Sequence, residues 1–176
     1  MIAIVALVAL AAFTVEGAIG FGGTVIAVSL GAQLLPLDVL LPAFVPVSIA
    51  LSLSLLRGPI AWRVLLVQIA PLVAVGIAAG VALSHVLASR ALLVVFGAFV
   101  VTLSIWQLAG PTRRLWSPPL LALGGLVHGL FGTGGPMIVY VVRTEVPDKT
   151  AFRATLAVLW IALNTVLVLS FVAVGR

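Results

Sequence analysis

The chain contains the glycine-rich stretch Gly17-Ala18-Ile19-Gly20-Phe21-Gly22-Gly23 and repeats it as Gly129-Leu130-Phe131-Gly132-Thr133-Gly134-Gly135. Matched glycines lie 112 residues apart, for example Gly17 and Gly129, and both stretches fall inside apolar sequence. Hydrocarbon offers no hydrogen-bond partner, so irregular backbone at membrane depth is tolerated only where protein or a water-filled cavity surrounds it. The two stretches therefore predict broken helices that face a buried site.

The composition is that of an integral membrane protein. Of the 176 residues, 64% are hydrophobic and 7% are charged, whereas soluble domains are about 45–50% apolar. A membrane-crossing helix needs about 17–25 residues, a length that matches the apolar segments 39–56, 64–87, 91–109, 118–142 and 154–174. Segment 1–35 is longer and lacks the basic region of a signal peptide, so we expect it to be retained. We predict an all-α polytopic transmembrane helical bundle with an internal repeat and glycine-broken helices.

The repeat extends beyond the glycines. Glu16 matches His128 and Ile26 matches Ile138 at the same spacing, which indicates a duplication. We predict a first membrane repeat over residues 1–110 and an incomplete second repeat over residues 111–176, because segments 64–87 and 91–109 have no counterpart. If every segment crosses once, the repeats are parallel; one re-entrant hairpin in each repeat makes them inverted. Transporters with either arrangement bind substrate at the repeat interface.

Basic residues lie mostly at the ends of the apolar segments, where lipid headgroups are their neighbours. We therefore expect no nucleic-acid partner, although the net charge is +5. If all six segments cross once, one side of the membrane collects Arg57, Arg63, Arg113, Arg114 and Arg176, and the other collects Arg90, Arg143, Lys149 and Arg153. Since Lys and Arg set orientation, this small excess favours a cytoplasmic N-terminus, and a re-entrant hairpin would reverse the assignment after it.

The glycine stretches can supply main-chain donors to an anion. A helix can restart after each Gly-Gly pair, and Pro136 is suited to a first helical position. Unpaired N–H groups and the positive end of the helix dipole attract anions at such a start. The candidate substrate-binding residues are Gly20, Gly22, Gly23, Thr24, Gly132, Thr133, Gly134, Gly135, Pro136 and Asn164. The alternative is close helix packing alone, which is our interpretation of the small-residue motifs at 76–80 and 125–129.

Two ionisable residues precede the matched glycines, Glu16 and His128. A charge at membrane depth costs at least about 2.5 kcal/mol on an insertion scale, so such a residue needs a reason to be there. We predict proton coupling, because histidine alone has an unperturbed pKa in the physiological range. The alternative is structural, with Glu16 accepting from nearby backbone donors and His128 packed as a neutral side chain.

The duplicated Gly-x-x-Gly-x-Gly-Gly elements, each followed about a dozen residues later by a proline, resemble those of the sulfite exporter TauE/SafE family. The resemblance covers the first repeat fully and the second partly. It implies two four-helix repeats and the transport of small sulfur-containing or organic anions such as sulfite, sulfonates and sulfoacetate. The chain differs in having Thr24 and Pro136 where a third glycine is common, and it lacks counterparts of the final two helices.

Together these features predict a multi-pass transporter of small anions in the plasma membrane, which in a bacterium is the inner membrane. The rivals are a passive anion channel and a noncatalytic membrane subunit that needs a partner chain. We expect no enzyme, because the two histidines lack His-x-x-x-His spacing and no Gly-x-Ser-x-Gly element is present. We likewise expect no cofactor and no metal; without cysteine, iron–sulfur clusters and thiolate metal sites are excluded. The predicted partners are the anion, the lipid bilayer and a second copy that could cover the incomplete repeat.

Overall fold

The computed structural model describes residues 2–108, 116–173 and 175. Within these residues the chain is helical and has no strand, which confirms the all-α class. The helices are α1 (Ile2–Ile19), α2 (Gly23–Gly31), α3 (Leu37–Leu55), α4 (Ala70–Val86), α5 (Ser89–Leu108), α6 (Ser117–Phe131), α7 (Gly135–Glu145) and α8 (Lys149–Ala173). A π-helical segment, Val64–Ile69, leads into α4. Four stretches in this part of the chain are long and apolar enough to span a membrane: Leu37–Leu55, Val64–Val86, Ser89–Trp106 and Lys149–Ala173.

Each glycine stretch ends one helix and starts a second helix that folds back along the first. A Cβ added to Gly23 at the start of α2 would lie 2.5 Å from the Glu16 carboxylate of α1, and one added to Gly124 of α6 would lie 2.8 Å from Ile138 of α7. The helix bounds keep the 112-residue spacing, since α1 ends at Ile19 and α6 at Phe131. Segments 1–35 and 118–142 are therefore hairpins, which is the second of the two alternatives compatible with the sequence.

The two hairpins open toward opposite ends of the bundle. The start of α8 shares an open pocket with the end of α3, so these helices are antiparallel. The α1–α2 hairpin leads into the start of α3, and the α6–α7 hairpin leads into the start of α8. Of the two repeat arrangements compatible with the sequence, the structure has the inverted one.

The hairpins also change the distribution of charge. One end of the bundle, here called the basic end, carries five of the described basic residues: Arg57, Arg63, Arg143, Lys149 and Arg153. Among the described residues the opposite end carries only Arg90. Arg113, Arg114, Arg176 and the predicted repeat boundary after residue 110 lie outside the described residues. The near-equal count expected from six single crossings is therefore replaced by a strong bias toward the basic end.

Small residues let α4 and α6 approach at backbone distance, as predicted for the motifs at 76–80 and 125–129. Gly76 faces the backbone of Ala122 and Gly125, and Gly80 faces the backbone of Leu126 and Gly129. A Cβ at either α4 glycine would collide with a carbonyl oxygen of α6. The order of the contacts makes α4 and α6 parallel, which fixes the direction of the second hairpin.

Candidate functional site

The two glycine breaks meet beside the middle of α3 and α8. Gly20 and Gly22 have φ of +97° and +94°, and Gly132 has φ of +65°. These values lie in the left-handed region that L side chains rarely adopt. Glycine therefore lets the chain reverse within three residues at Gly20–Gly22 and at Gly132–Gly134, so that α2 and α7 begin inside the protein.

Glu16 lies on the last turn of α1 and caps the start of α2. Its Oε2 accepts a hydrogen bond from the Thr24 N–H at 3.2 Å, and its Oε1 accepts one from the Ser48 hydroxyl at 3.1 Å. Glu16 is only 4% exposed. A buried carboxylate is costly unless it is hydrogen-bonded, and here main-chain and hydroxyl donors satisfy both oxygens.

A chain of hydrogen bonds runs from Glu16 across three other helices to His128. The Asn164 Nδ2 of α8 donates to Ser48 Oγ of α3 at 3.1 Å, and Asn164 Oδ1 lies 3.1 Å from His128 Nε2 of α6. With Glu16 ionised, its carboxylate can only accept, so Ser48 donates to it and accepts from Asn164. The Asn164 oxygen then faces His128, which must carry its proton on Nε2 and leave Nδ1 as an acceptor.

Trp160 of α8 connects the two breaks. Its indole stacks on the His128 imidazole, with ring centroids 5.7 Å apart and an interplanar angle of 13°. Its Nε1 donates to the carbonyl of Gly20 at 3.3 Å. One side chain thus contacts the first break through a hydrogen bond and the second through an aromatic stack.

The breaks and these side chains enclose a cavity of about 20 Å³. About 10–15 Å³ suffices for one water molecule, so a sulfur oxyanion, with a sulfur and at least three oxygens, does not fit without movement. The lining residues are Glu16, Phe21, Gly22, Thr24, Val25, Ser48, His128, Gly132, Thr133, Gly135, Trp160 and Asn164.

Eight of the twelve residues predicted to bind substrate or couple protons therefore line the cavity, and four do not. Gly20 contributes its carbonyl to Trp160, and Gly23 packs against Glu16. Gly134 packs against the carbonyl of Gly124 in its own hairpin. Pro136 occupies the first turn of α7, the position that its missing N–H favours. These four shape the breaks and do not line the cavity.

Trp160 and Ser48 are not among the candidate residues that the sequence predicted. Trp160 carried a usable signal, because it falls in the middle of an apolar segment, whereas interfacial tryptophans such as Trp62 and Trp116 fall near segment ends. Ser48 gave little signal of a role in the site, because serine in a membrane helix usually bonds its own backbone.

Two buried polar atoms of the cavity residues have no hydrogen-bond partner within the part of the chain that the structure describes. They are Nδ1 of His128 and Oγ1 of Thr133, and each residue is only 2% exposed. Unpaired buried polar atoms are few in native proteins, and each needs an explanation. Both belong to the second hairpin.

Pockets lie on either side of the cavity. At the basic end, an open pocket of about 550 Å³ is lined by Arg57, Lys149 and Arg153, and Arg153 donates to the carbonyl of Gly17 at 3.0 Å. At the opposite end, a pocket of about 50 Å³ is lined by Asp38 and reaches Gly129, next to His128.

Comparison with known families gives one match over nearly the whole chain. Residues 5–176 match the sequence model of the family described as sulfite exporter TauE/SafE. No curated protein and no solved structure matches.

Proposed function

The chain belongs to the sulfite exporter TauE/SafE family, and we propose that it moves small anions such as sulfite or sulfonates across the plasma membrane, in a bacterium the inner membrane. The description of the family names sulfite exporters. The observation that carries the proposal is the cavity that both glycine breaks line together. Helix starts inside a membrane protein are suited to bind anions through main-chain N–H groups and the helix dipole.

Alternating access is the transport mode that we propose. The cavity lies between two pockets at opposite ends of the bundle and is too small for the anion as it stands. Rocking one inverted repeat against the other would widen the cavity toward one pocket at a time. The three cations that line the pocket at the basic end, Arg57, Lys149 and Arg153, raise the local anion concentration on that side.

We propose proton coupling through the chain from Glu16 to His128. A proton added at Nδ1 of His128 turns this atom from an acceptor into a donor and gives the imidazole a positive charge. An anion beside it is then stabilised by charge and by a hydrogen bond. Release of the proton weakens both interactions, so anion and proton would move together.

The test is flux of sulfite and of methanesulfonate into proteoliposomes, with a pH gradient imposed or collapsed. We expect saturable flux that the gradient accelerates. Linear flux would instead indicate a channel, and the absence of flux from folded protein would indicate a subunit that needs a partner.

Gly135→Leu probes the cavity directly. Gly135 lines it, and a Cβ there would lie 3.8 Å from the Trp160 ring, so the larger leucine side chain fills the space between them. We expect this variant to lose at least about tenfold in flux. Gly97→Leu is the control, because a Cβ on this exposed α5 residue meets nothing within 4 Å. Equal flux from both variants would contradict the proposed site.

A further inference from the structure

The hairpins and the helices that follow them, α3 and α8, bring chemically different residues to matching positions of the cavity. Three pairs of lining residues keep the 112-residue spacing: Glu16 and His128, Phe21 and Thr133, and Ser48 and Trp160. The contacts are matched too, since Glu16 bonds Ser48 while His128 stacks on Trp160. The repeat symmetry of the backbone therefore does not extend to the ligand chemistry of the two halves.

In the first half, a carboxylate of the protein lies at the start of α2. Glu16 accepts the N–H of Thr24 there, and a helix start is a place that favours an anion. Its second oxygen accepts the Ser48 hydroxyl. Phe21, the counterpart of Thr133, adds no polar atom to this half.

In the second half, two polar side-chain atoms have no protein partner among the described residues. Thr133 Oγ1 lies one residue before the Gly134 that precedes α7, and it is buried and unbonded. His128 Nδ1, at the position that corresponds to Glu16, is also buried and unbonded. Thr133, His128 and Gly135 all line the cavity.

We propose that Glu16 is a tethered anion that occupies the α2 half of the site, and that the transported oxyanion binds at the α7 half against Thr133 and His128. This inference rests on the proposed function and names the half of the site that holds substrate. The Thr133 hydroxyl donates to the oxyanion, and protonated His128 supplies the second donor. Once the cavity has widened to admit it, the oxyanion lies in the same site as the Glu16 carboxylate, and the two negative charges repel each other.

Few other charged or titratable groups face Glu16 from the described elements packed around it. His128 of α6 is linked to it through Ser48 and Asn164. Arg153 of α8 binds the carbonyl of Gly17, the residue that follows Glu16. From α2 and α3 the contacting groups are the Thr24 N–H and the Ser48 hydroxyl, which do not titrate in the physiological range.

The first arm of the test is sulfite titration of the purified full chain by calorimetry at one fixed pH. Thr133→Val removes the hydroxyl at nearly constant volume, and we expect sulfite to bind about tenfold or more weakly, as for a lost hydrogen bond to a charged group. Thr133→Ser keeps the hydroxyl and should bind within about threefold of wild type. Thr165→Val is the control, since this exposed threonine bonds its own helix at Ile161.

The second arm is Glu16→Gln, which removes the tethered charge. We expect sulfite to bind about tenfold more tightly, the order expected when a like charge within ~10 Å is removed from a protein site. Unchanged binding in Thr133→Val, or a loss in Glu16→Gln as large as in Thr133→Val, would overturn the assignment of the two halves. If the variants give those results and the wild-type protein transports sulfite, only the assignment of the two halves fails and the proposed function stands. Wild-type protein that neither binds nor transports sulfite or methanesulfonate would overturn both.

Discussion

At the scale of single residues, Asn164 holds the site together. Its amide bonds Ser48 of α3 and His128 of α6 at 3.1 Å each, and it is 3% exposed. Asn164→Leu leaves both partners buried and less satisfied, at a cost of about 1–3 kcal/mol for each group. We therefore expect the free energy of unfolding to fall by about 2–5 kcal/mol, measured by denaturant unfolding in detergent.

Thr165→Leu is the matched control for Asn164→Leu. The Thr165 side chain, next in sequence to Asn164, is exposed and bonds only its own helix. The same variants in proteoliposomes test coupling. Asn164→Leu should lose the response of flux to a pH gradient, since Glu16 and His128 are no longer linked. Equal stability of the two variants would mean that the chain of hydrogen bonds adds nothing to the fold.

Some residues of the site could be predicted from the sequence, and others could not. Glu16, His128 and Asn164 stood out because polar side chains are rare in apolar segments. The sequence could not predict which of these residues contact one another, because the contacts join α1, α3, α6 and α8 across separations of up to 116 residues. The hydrogen bond from the Thr24 N–H to Glu16 agrees with the structural alternative for Glu16, in which it accepts from nearby backbone donors. The identity of the donor was not predictable, because it depends on the chain turning back between Gly20 and Gly22.

At the scale of helices, the α4–α6 contact sets the position of the second hairpin. Gly76 and Gly80 meet the α6 backbone so closely that even a methyl group has no room. Forcing a larger side chain into a packed interface costs about 1–3 kcal/mol. Gly80→Ala should therefore lower the unfolding free energy by about that amount in detergent, although alanine is the better helix former.

Gly97→Ala is the control for this interface, since the exposed Gly97 of α5 has open space around it. We expect it to be neutral or stabilising by up to ~1 kcal/mol from helix propensity. A stabilised Gly80→Ala variant would show that α4 and α6 can separate without cost and that their packing does not fix the hairpin.

The helix restarts were predictable, and the directions of the restarted helices were not. Gly22-Gly23 and Gly134-Gly135 marked where α2 and α7 begin, and Pro136 fits the first turn of α7. A glycine break lets a chain continue across the membrane or turn back, because glycine adopts φ of either sign with similar ease. Contacts such as that between Gly124 and Ile138 decide the outcome, and these come from tertiary packing.

At the scale of the whole molecule, the hairpins turn the bundle into an inverted repeat with one strongly basic end. Single crossings would divide the basic residues almost equally, whereas the structure places Arg57, Arg63, Arg143, Lys149 and Arg153 at the same end. Cytoplasmic loops carry the excess of Lys and Arg. We therefore predict that the basic end faces the cytoplasm and that the N-terminus lies on the other side, the reverse of the orientation expected for six single crossings.

Because the chain contains no cysteine, single cysteines labelled with a membrane-impermeant maleimide on intact cells test this orientation. Ala88 lies between α4 and α5 at the opposite end, and Thr150 lies at the start of α8 at the basic end; both are exposed. We expect Ala88→Cys to be labelled and Thr150→Cys to be protected until the membrane is permeabilised. Labelling of both would favour six single crossings with a cytoplasmic N-terminus, because both sites then lie outside. Labelling of Thr150→Cys alone would keep the hairpins and reverse the orientation, which would show that the positive-inside bias does not orient this chain.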